Sequence, residues 1–395
     1  MLPITDYRRR YIVTNFAYGT GPFLRTTDLA IAFNREYEKL TGSRLGIIVP
    51  WLYGERQKQV MLEEFSEHEA EHPAEILLDR TLGALYSKVF YGSHNYADAL
   101  TQWVEQALLT SREAYHHLSG ELILETLSGD IRRVRGKDIA LELNRSPRIR
   151  FGVAPSYFTS FASLTEILEQ ARTIKNFVVS PKLLKQAIET AREVERGHEQ
   201  YAIAHPGTFS YQKNRQSRFE KEILVPPIAP PPKPNRERGI KPGIFVTVTG
   251  IPGLERLYRE ASDLGLALYS NDTDSVSGST RALPHIISNK SIRFQFARSG
   301  WSSVWISMIS GTPLLVPEYD PTDDPEICFN NRCVEALGIA IVYRGEPLSE
   351  LLSRTDDVRS ASRRVSAEVK KRFGTLDGNT YCAKLFAKDF VTRYK

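Results

Sequence analysis

Residues 226–243 read PPIAPPPKPNRERGIKPG, and no other stretch limits the fold as strongly. Proline lacks an amide hydrogen and has a fixed φ, so this segment can neither pair inside a sheet nor continue a helix; it favours an extended, semi-rigid connection. A structureless run of 18 residues is uncommon inside one compact domain. The chain therefore reads as a first domain over residues 1–225, a linker over 226–242 and a second domain over 243–395. Each half of the 395 residues is large enough to bury roughly 70% of its unfolded surface without disulfides or metals.

Beyond the linker, short apolar runs alternate with helical patterns. Strands are predicted over 244–249, 266–270, 293–296, 313–317 and 339–343, and helices over 253–264, 301–309 and 325–337. This βαβα alternation implies a parallel sheet covered by helices. The first half opens similarly, with a strand over 11–14, a glycine-bearing loop over 19–21, a helix over 26–40 and a strand over 45–49. Its later part predicts helices over 55–65, 98–117, 164–173 and 182–196 and a strand over 176–179. A final C-terminal helix is expected to pack back on the first domain.

The net charge of +5 raises nucleic acid as a partner, but its distribution argues against it. Residues 1–225 carry 29 basic and 28 acidic side chains, residues 243–395 carry 19 and 18, and most of the excess sits in the linker, with 4 and 1. A nucleic-acid binder concentrates its excess on one face. The three cysteines, Cys328, Cys333 and Cys382, form no CxxC pair, which suits a reducing compartment. With no apolar signal core near Met1 and no run of about 18 apolar residues, a cytoplasmic protein is expected. Seven basic side chains between Arg132 and Arg150 would draw a phosphorylated or lipid-linked acceptor, or the inner face of an anionic membrane; they would equally make an ordinary solvated face.

In open parallel sheets, ligands bind beyond the carboxyl ends of the strands, where helix-start amides attract anions. Three positions in the second half meet this condition. In TGIPGLERLY, Gly250 permits close backbone approach. In RFQFARSGWSSVWISMISGTPLLVPE, Arg298, Ser299 and Gly300 follow a strand while Ser302 and Ser303 open a helix, gathering a guanidinium, hydroxyls and amides for a diphosphate. In EYDPTDDPEICFNNRCVEALGIA, Glu318, Glu326 and Asn330 supply directional partners for sugar hydroxyls. Each position alone also fits an ordinary cap, turn or solvated loop.

Together, residues 298–340 resemble the donor-binding segment of GT-B glycosyltransferases, especially the branch of the peptidoglycan lipid-intermediate N-acetylglucosaminyltransferase. The resemblance rests on Ser299 and Gly300, on Gly311 and Pro313, on Val316 and Pro317, and on Asn330, with Glu335 and Gly338 at matching offsets. It implies an α/β protein of two Rossmann-like domains facing a central cleft, with a nucleotide diphosphate sugar, UDP-sugar favoured, as co-substrate of the second domain. Glu326 and Ile327 stand where the branch usually has a Gln pair, so the identity of the sugar does not follow. In the first domain, GTGPFLRTTDLAIAF resembles the Gly-x-Gly-His-x-x-Arg loop of related transferases, with Gly19, Thr20, Gly21 and Arg25 in place and Pro22 where a His is common. That loop is expected to approach the donor phosphates or the acceptor.

For the base that takes the acceptor proton, Asp28 and His94 are the candidates, with His116, His117 and His205 behind them. Leaving-group charge is expected to fall on helix N-termini, Arg298 and Arg25, without an essential metal. The acceptor, which no sequence feature identifies, is expected to be a small or lipid-linked molecule. A non-hydrolysing nucleotide-sugar 2-epimerase and a catalytically silent sugar-nucleotide-binding protein are the competing readings.

Overall fold

The computed structural model describes residues 10–16, 20–89, 95–229, 231–232, 234–247 and 254–394. The first unit runs β1 (Tyr11–Asn15), α1 (Thr20–Thr41), β2 (Gly46–Pro50), α2 (Glu55–Glu64), α3 (Ser66–Glu71), β3 (Ile76–Asp79), α4 (Arg80–Ser87), α5 (Tyr96–Ser119), β4 (Glu121–Thr126), β5 (Ile131–Arg135), β6 (Ile139–Asn144), β7 (Ser156–Ser160), α6 (Leu164–Ala171), α7 (Pro181–Val194), β8 (Gln200–Ala204) and β9 (Glu222–Val225). The second runs β10 (Gly243–Val246), α8 (Leu254–Asp263), β11 (Ala267–Ser270), β12 (Thr280–Arg281), β13 (Ile292–Phe296), α9 (Trp301–Ser310), β14 (Leu314–Pro317), α10 (Pro325–Leu337), β15 (Ala340–Tyr343), α11 (Leu348–Ser353), α12 (Thr355–Phe373) and α13 (Gly378–Tyr394).

The two sheets have the orders β5-β4-β3-β2-β1-β6-β7-β8-β9 and β12-β11-β10-β13-β14-β15. The second is parallel throughout, and the first is parallel except for the β4–β5 hairpin at its edge. Strand order reverses at β1, between β2 and β6, and at β10, between β11 and β13. Each reversal opens a crevice beyond the strand ends, because the helices on either side leave in opposite directions. One apolar core is continuous from the α1 face of the first sheet into the second sheet. A second core lies under α4, α5, α6 and α7 and includes Phe329 of α10.

Several expectations change in the structure. Residues 20–21, read as loop, form the first turn of α1. Pro22 does not prevent this, since first-turn amides have no intrahelical acceptor to lose. Residues 176–179 form no strand: Asn176 has φ of 60°, Val178 is exposed, and the segment turns toward α7. The start of the linker is packed rather than free. Residues 226–229 are buried, and Gly378 N donates to Pro227 O at 3.0 Å. A Cβ at Gly378 would lie 2.3 Å from Pro227 O and 2.4 Å from Pro226 O, so only glycine allows this approach. From there α13 lies along α1, with Phe390 6.4 Å from Phe33 and 6.2 Å from Tyr37 between ring centroids. Tyr157 of β7 also donates to Asp389 of α13 at 2.8 Å. No helix among the described residues is long and apolar enough to cross a membrane.

Candidate functional site

The crevice of the second sheet lies where β13 gives way to α9. Gly300 caps α9 with φ of −63° and no side-chain cap; Ser303 N donates to Gly300 O at 3.0 Å, no side chain among the described residues satisfies the amides before it, and the positive end of the helix dipole lies at this turn. Ser302 and Ser303, in that first turn, are partly exposed. Arg298 is half exposed and paired with Asp323. These four residues form the part of the predicted donor set that meets solvent together.

Ser299 and Asn330 are committed differently. Ser299 is fully buried, and its carbonyl accepts from Asn330 Nδ2 at 2.9 Å. The same Nδ2 donates to Glu326 Oε1 at 3.1 Å. Asn330 Oδ1 accepts from Trp301 Nε1 at 2.9 Å and from Thr208 Oγ1 at 2.7 Å. Both donors and both lone pairs of the amide are therefore used. Because Thr208 follows β8, this network joins the two domains, as do Trp305 Nε1 donating to Pro206 O at 2.8 Å and the Phe209–Phe329 ring pair at 5.1 Å. Glu318 stands apart, exposed and 3.5 Å from Arg344 beyond β15.

Glu326 lies at the start of α10. Burial and the neighbouring Asp324 push its carboxyl up to about 8, against the opposing pull of Asn330, Arg148 and Arg298. Near neutral pH it is largely protonated and can donate as well as accept a hydrogen bond. Arg148, which follows β6 in the first domain, reaches Asp324 at 3.1 Å. On the opposite flank, Arg56 of α2 meets Asp272 beyond β11 at 3.1 Å, and Glu63 of α2 meets Arg281 of β12 at 3.0 Å.

In the first domain, Arg25 is buried and engaged with Asp28 at 2.7 Å and Glu64 at 3.1 Å. Burial raises the Asp28 carboxyl, Arg25 lowers it and Glu64 raises it again, so Asp28 belongs to a charged cluster rather than standing alone. Arg145, just past β6, lies in the same cluster. Its burial and the nearby Arg25 lower its guanidinium to about 10, and its Nη2 donates to Ile228 O of the linker at 3.1 Å. His117 meets Asp79, at the end of β3, at 2.8 Å; His205 meets Ser210 O at 3.0 Å; His116 is exposed. His94, Gly19 and Gly250 lie outside the described residues, as do the side chains of the α1 turn at Thr20 and Gly21.

Sequence reasoning missed Trp301, Thr208, Arg148 and Arg145 as members of these arrangements. Arg148 and Arg145 fall within the basic stretch but carry no local mark of their partners. Trp301 beside Gly300 is the one local signal, an aromatic at a helix start whose Nε1 needs an acceptor once buried.

No protein-family model matches the chain, and no curated protein matches it. Solved structures do. The glycosyltransferase SnogD from Streptomyces nogalater is similar with a TM-score of 0.56 at 14% identity, over 98% of this chain and 100% of that one. SsfS6, a glycosyltransferase of Streptomyces sp. SF2575, gives 0.55 at 12% over 95% and 99%, and it has also been solved with thymidine diphosphate. UGT71G1 of Medicago truncatula, complexed with UDP-glucose, gives 0.53 at 12% over 96% and 98%. Identities this low carry the fold alone: the chain has the GT-B glycosyltransferase fold, two α/β domains built on parallel sheets.

Proposed function

We propose that this protein is a glycosyltransferase that takes its sugar from a nucleoside diphosphate sugar, UDP-sugar favoured, and passes it to a small-molecule or lipid-linked acceptor held by the first domain. The observation that carries this reading is the start of α9 at the strand-order reversal of the second sheet, where Arg298, Gly300, Ser302 and Ser303 stand together. An amide-lined helix start with an adjacent guanidinium suits a diphosphate, and it suits a departing nucleoside diphosphate more, because negative charge grows on that group in the transition state. This leaving-group stabilisation is metal-independent. Glycosyltransferases solved with thymidine diphosphate and with UDP-glucose share the fold, which favours a nucleotide in this crevice. The sequence resemblance to the lipid-intermediate N-acetylglucosaminyltransferase branch adds UDP-N-acetylglucosamine to the donors worth testing. It also adds peripheral contact with the inner face of a membrane as the setting for a lipid-linked acceptor.

The test is thermal stabilisation by UDP, GDP, dTDP and their sugars, followed by product analysis. At a ligand concentration 100 times Kd, binding adds about 2.7 kcal/mol, a shift of several degrees. Arg298→Ala and Ser302→Ala are expected to weaken the shift without unfolding the protein, since both side chains reach solvent. Ser299 is unsuitable for this purpose because its burial mixes stability with binding. Epimerised sugar without acceptor would move the reading to a 2-epimerase, and binding without any turnover to a silent receptor. Stabilisation by no nucleoside diphosphate refutes the donor site.

A further inference from the structure

Arg148 is the first domain's cation at the start of α10. Its backbone is fixed to the first domain: Arg148 O accepts from the buried Trp103 Nε1 at 2.7 Å, and Arg148 N donates to Ser146 Oγ at 3.2 Å. The guanidinium then crosses to the second domain, where Nη2 donates to Asp324 Oδ2 at 3.1 Å. The other oxygen, Asp324 Oδ1, caps α10 by accepting from Glu326 N at 2.9 Å. One carboxylate thus joins a fixed cation of one domain to the first turn of a helix in the other. Beside it, Tyr96 N donates to Thr322 O at 2.9 Å, so the α5 start supports the same loop.

We propose that Arg148 is a positioning residue for the sugar moiety of the donor. By holding Asp324 it sets the first turn of α10 and the orientation of Glu326, so this part of the site is complete only when the two domains are apposed. The inference rests on the glycosyl-transfer reading above, and it separates the sugar subsite, which depends on Arg148, from the diphosphate subsite at α9, which is tied to the first domain through Thr208 and Pro206 instead.

Three features support it. The Arg148 and Asp324 side chains are only 12% and 21% exposed, so the pair is poorly screened by solvent. The groups that face Glu326 are Asp324 and Asn330 from α10 and its cap, Arg298 from the end of β13 with its partner Asp323, and Arg148 from the first domain. Arg148 is the contribution to this group from across the cleft, and its charge favours the ionised form of Glu326.

The experiment uses the full chain and measures affinity for UDP and UDP-glucose, or for dTDP and dTDP-glucose if those stabilise the wild type, across pH 6 to 9. Arg148→Ala is expected to leave the affinity for the free diphosphate within about twofold and to weaken the sugar nucleotide about tenfold, the size of one charge-assisted hydrogen bond. The pH dependence that Glu326 imposes on sugar-nucleotide binding should move to higher pH, because a nearby positive charge has gone. Arg148→Lys, which keeps the charge, should recover part of both effects. If the alanine variant does not fold, Arg148→Lys and Arg148→Gln take its place, with the glutamine expected to show the larger loss and the upward pH shift. Equal weakening of both ligands, or of neither, overturns the proposal. A wild type that binds neither diphosphate nor sugar nucleotide instead overturns the underlying functional reading.

Discussion

Replacing Asn330 by alanine tests whether this residue joins the domains or waits for a sugar. The amide is fully buried, holding Ser299 O at 2.9 Å and Glu326 Oε1 at 3.1 Å while accepting from Thr208 at 2.7 Å and Trp301 at 2.9 Å. After truncation, Trp301 Nε1 retains Thr208 Oγ1 at 2.8 Å, and the partly exposed Glu326 can be rehydrated. The Ser299 carbonyl and the Thr208 hydroxyl both lose a partner inside the protein. At about 1–3 kcal/mol for each buried group so stranded, plus a small cavity, the expected loss is about 3–5 kcal/mol. Trp301→Phe removes the Nε1 donor but leaves Asn330 with Thr208, and should cost about 1–2 kcal/mol. In the double variant the two losses should fall short of additivity by about 1 kcal/mol, because one bond is counted in both. Urea unfolding followed by far-UV circular dichroism reads all three. A loss below about 1 kcal/mol for Asn330→Ala, additive with Trp301→Phe, would refute the network and return the amide to the list of free sugar contacts.

Gly83→Ala should destabilise the protein by about 3 kcal/mol in the same assay, since the new Cβ would lie 2.1 Å from Trp51 O and 2.2 Å from Trp51 C and main chain cannot yield as a side chain does; a loss under about 1 kcal/mol would contradict the packing of α4. Gly300→Ala has nothing within 4 Å of its Cβ and should change stability by no more than about 1 kcal/mol, yet weaken nucleoside diphosphate binding because the methyl group occupies the approach to α9. Unchanged affinity, measured by calorimetry, would place the diphosphate elsewhere. Burial, with a smaller effect of Arg150, lowers the His198 imidazole to about 3, while the unfolded chain takes up its proton near 6.5. Stability carried by neutral His198 is therefore full above pH 6.5 and is lost as pH falls toward 3, by up to about 1.4 kcal/mol per pH unit. Hydrogen bonds from His68, Arg44 and Asn34 outweigh burial to hold Glu75 near 2, a contribution that is lost only below about pH 4.5. Between pH 6.5 and 4.5 His198 acts beside His205, which burial also lowers, and Glu326, so the comparison of His198→Gln with wild type singles it out: the variant should flatten part of the fall in unfolding midpoint, and parallel curves would refute the assignment.

How much was legible in advance differed between the halves. In the second, each central strand of a parallel sheet is buried on both faces and reads as one short apolar block, while the intervening helices carry clear stops at Gly311 and Gly338, both left-handed at φ of 73° and 72°. The predicted helix over 325–337 accordingly coincides with α10. In the first half, β6 carries the ionisable Glu142 in a fully buried strand, because Val153 N donates to its carboxyl group at 2.7 Å. No local pattern announces such a partner, and β6, the strand that sets the crevice of this domain, passed unread. At the candidate site, the grouping of Arg298, Gly300, Ser302 and Ser303 at a helix start was legible because four neighbouring residues supply it. The commitment of Ser299 and Asn330 to packing was not, because Trp301 and Thr208 lie far from each other along the chain.

What the sequence determined by itself was the alternation of elements, the break at the prolines and the local chemistry at the start of α9, all properties of apolar periodicity, missing amide hydrogens and short-range hydrogen bonding. Tertiary structure alone decided which polar groups remain available. Arg25 is taken by Glu64 of α2 as well as by its helix neighbour Asp28, Asn330 by Thr208, and Asp324 by an arginine 176 residues earlier. A buried polar group must find a partner wherever the fold brings one, and only the packing of the two domains fixes which partner that is.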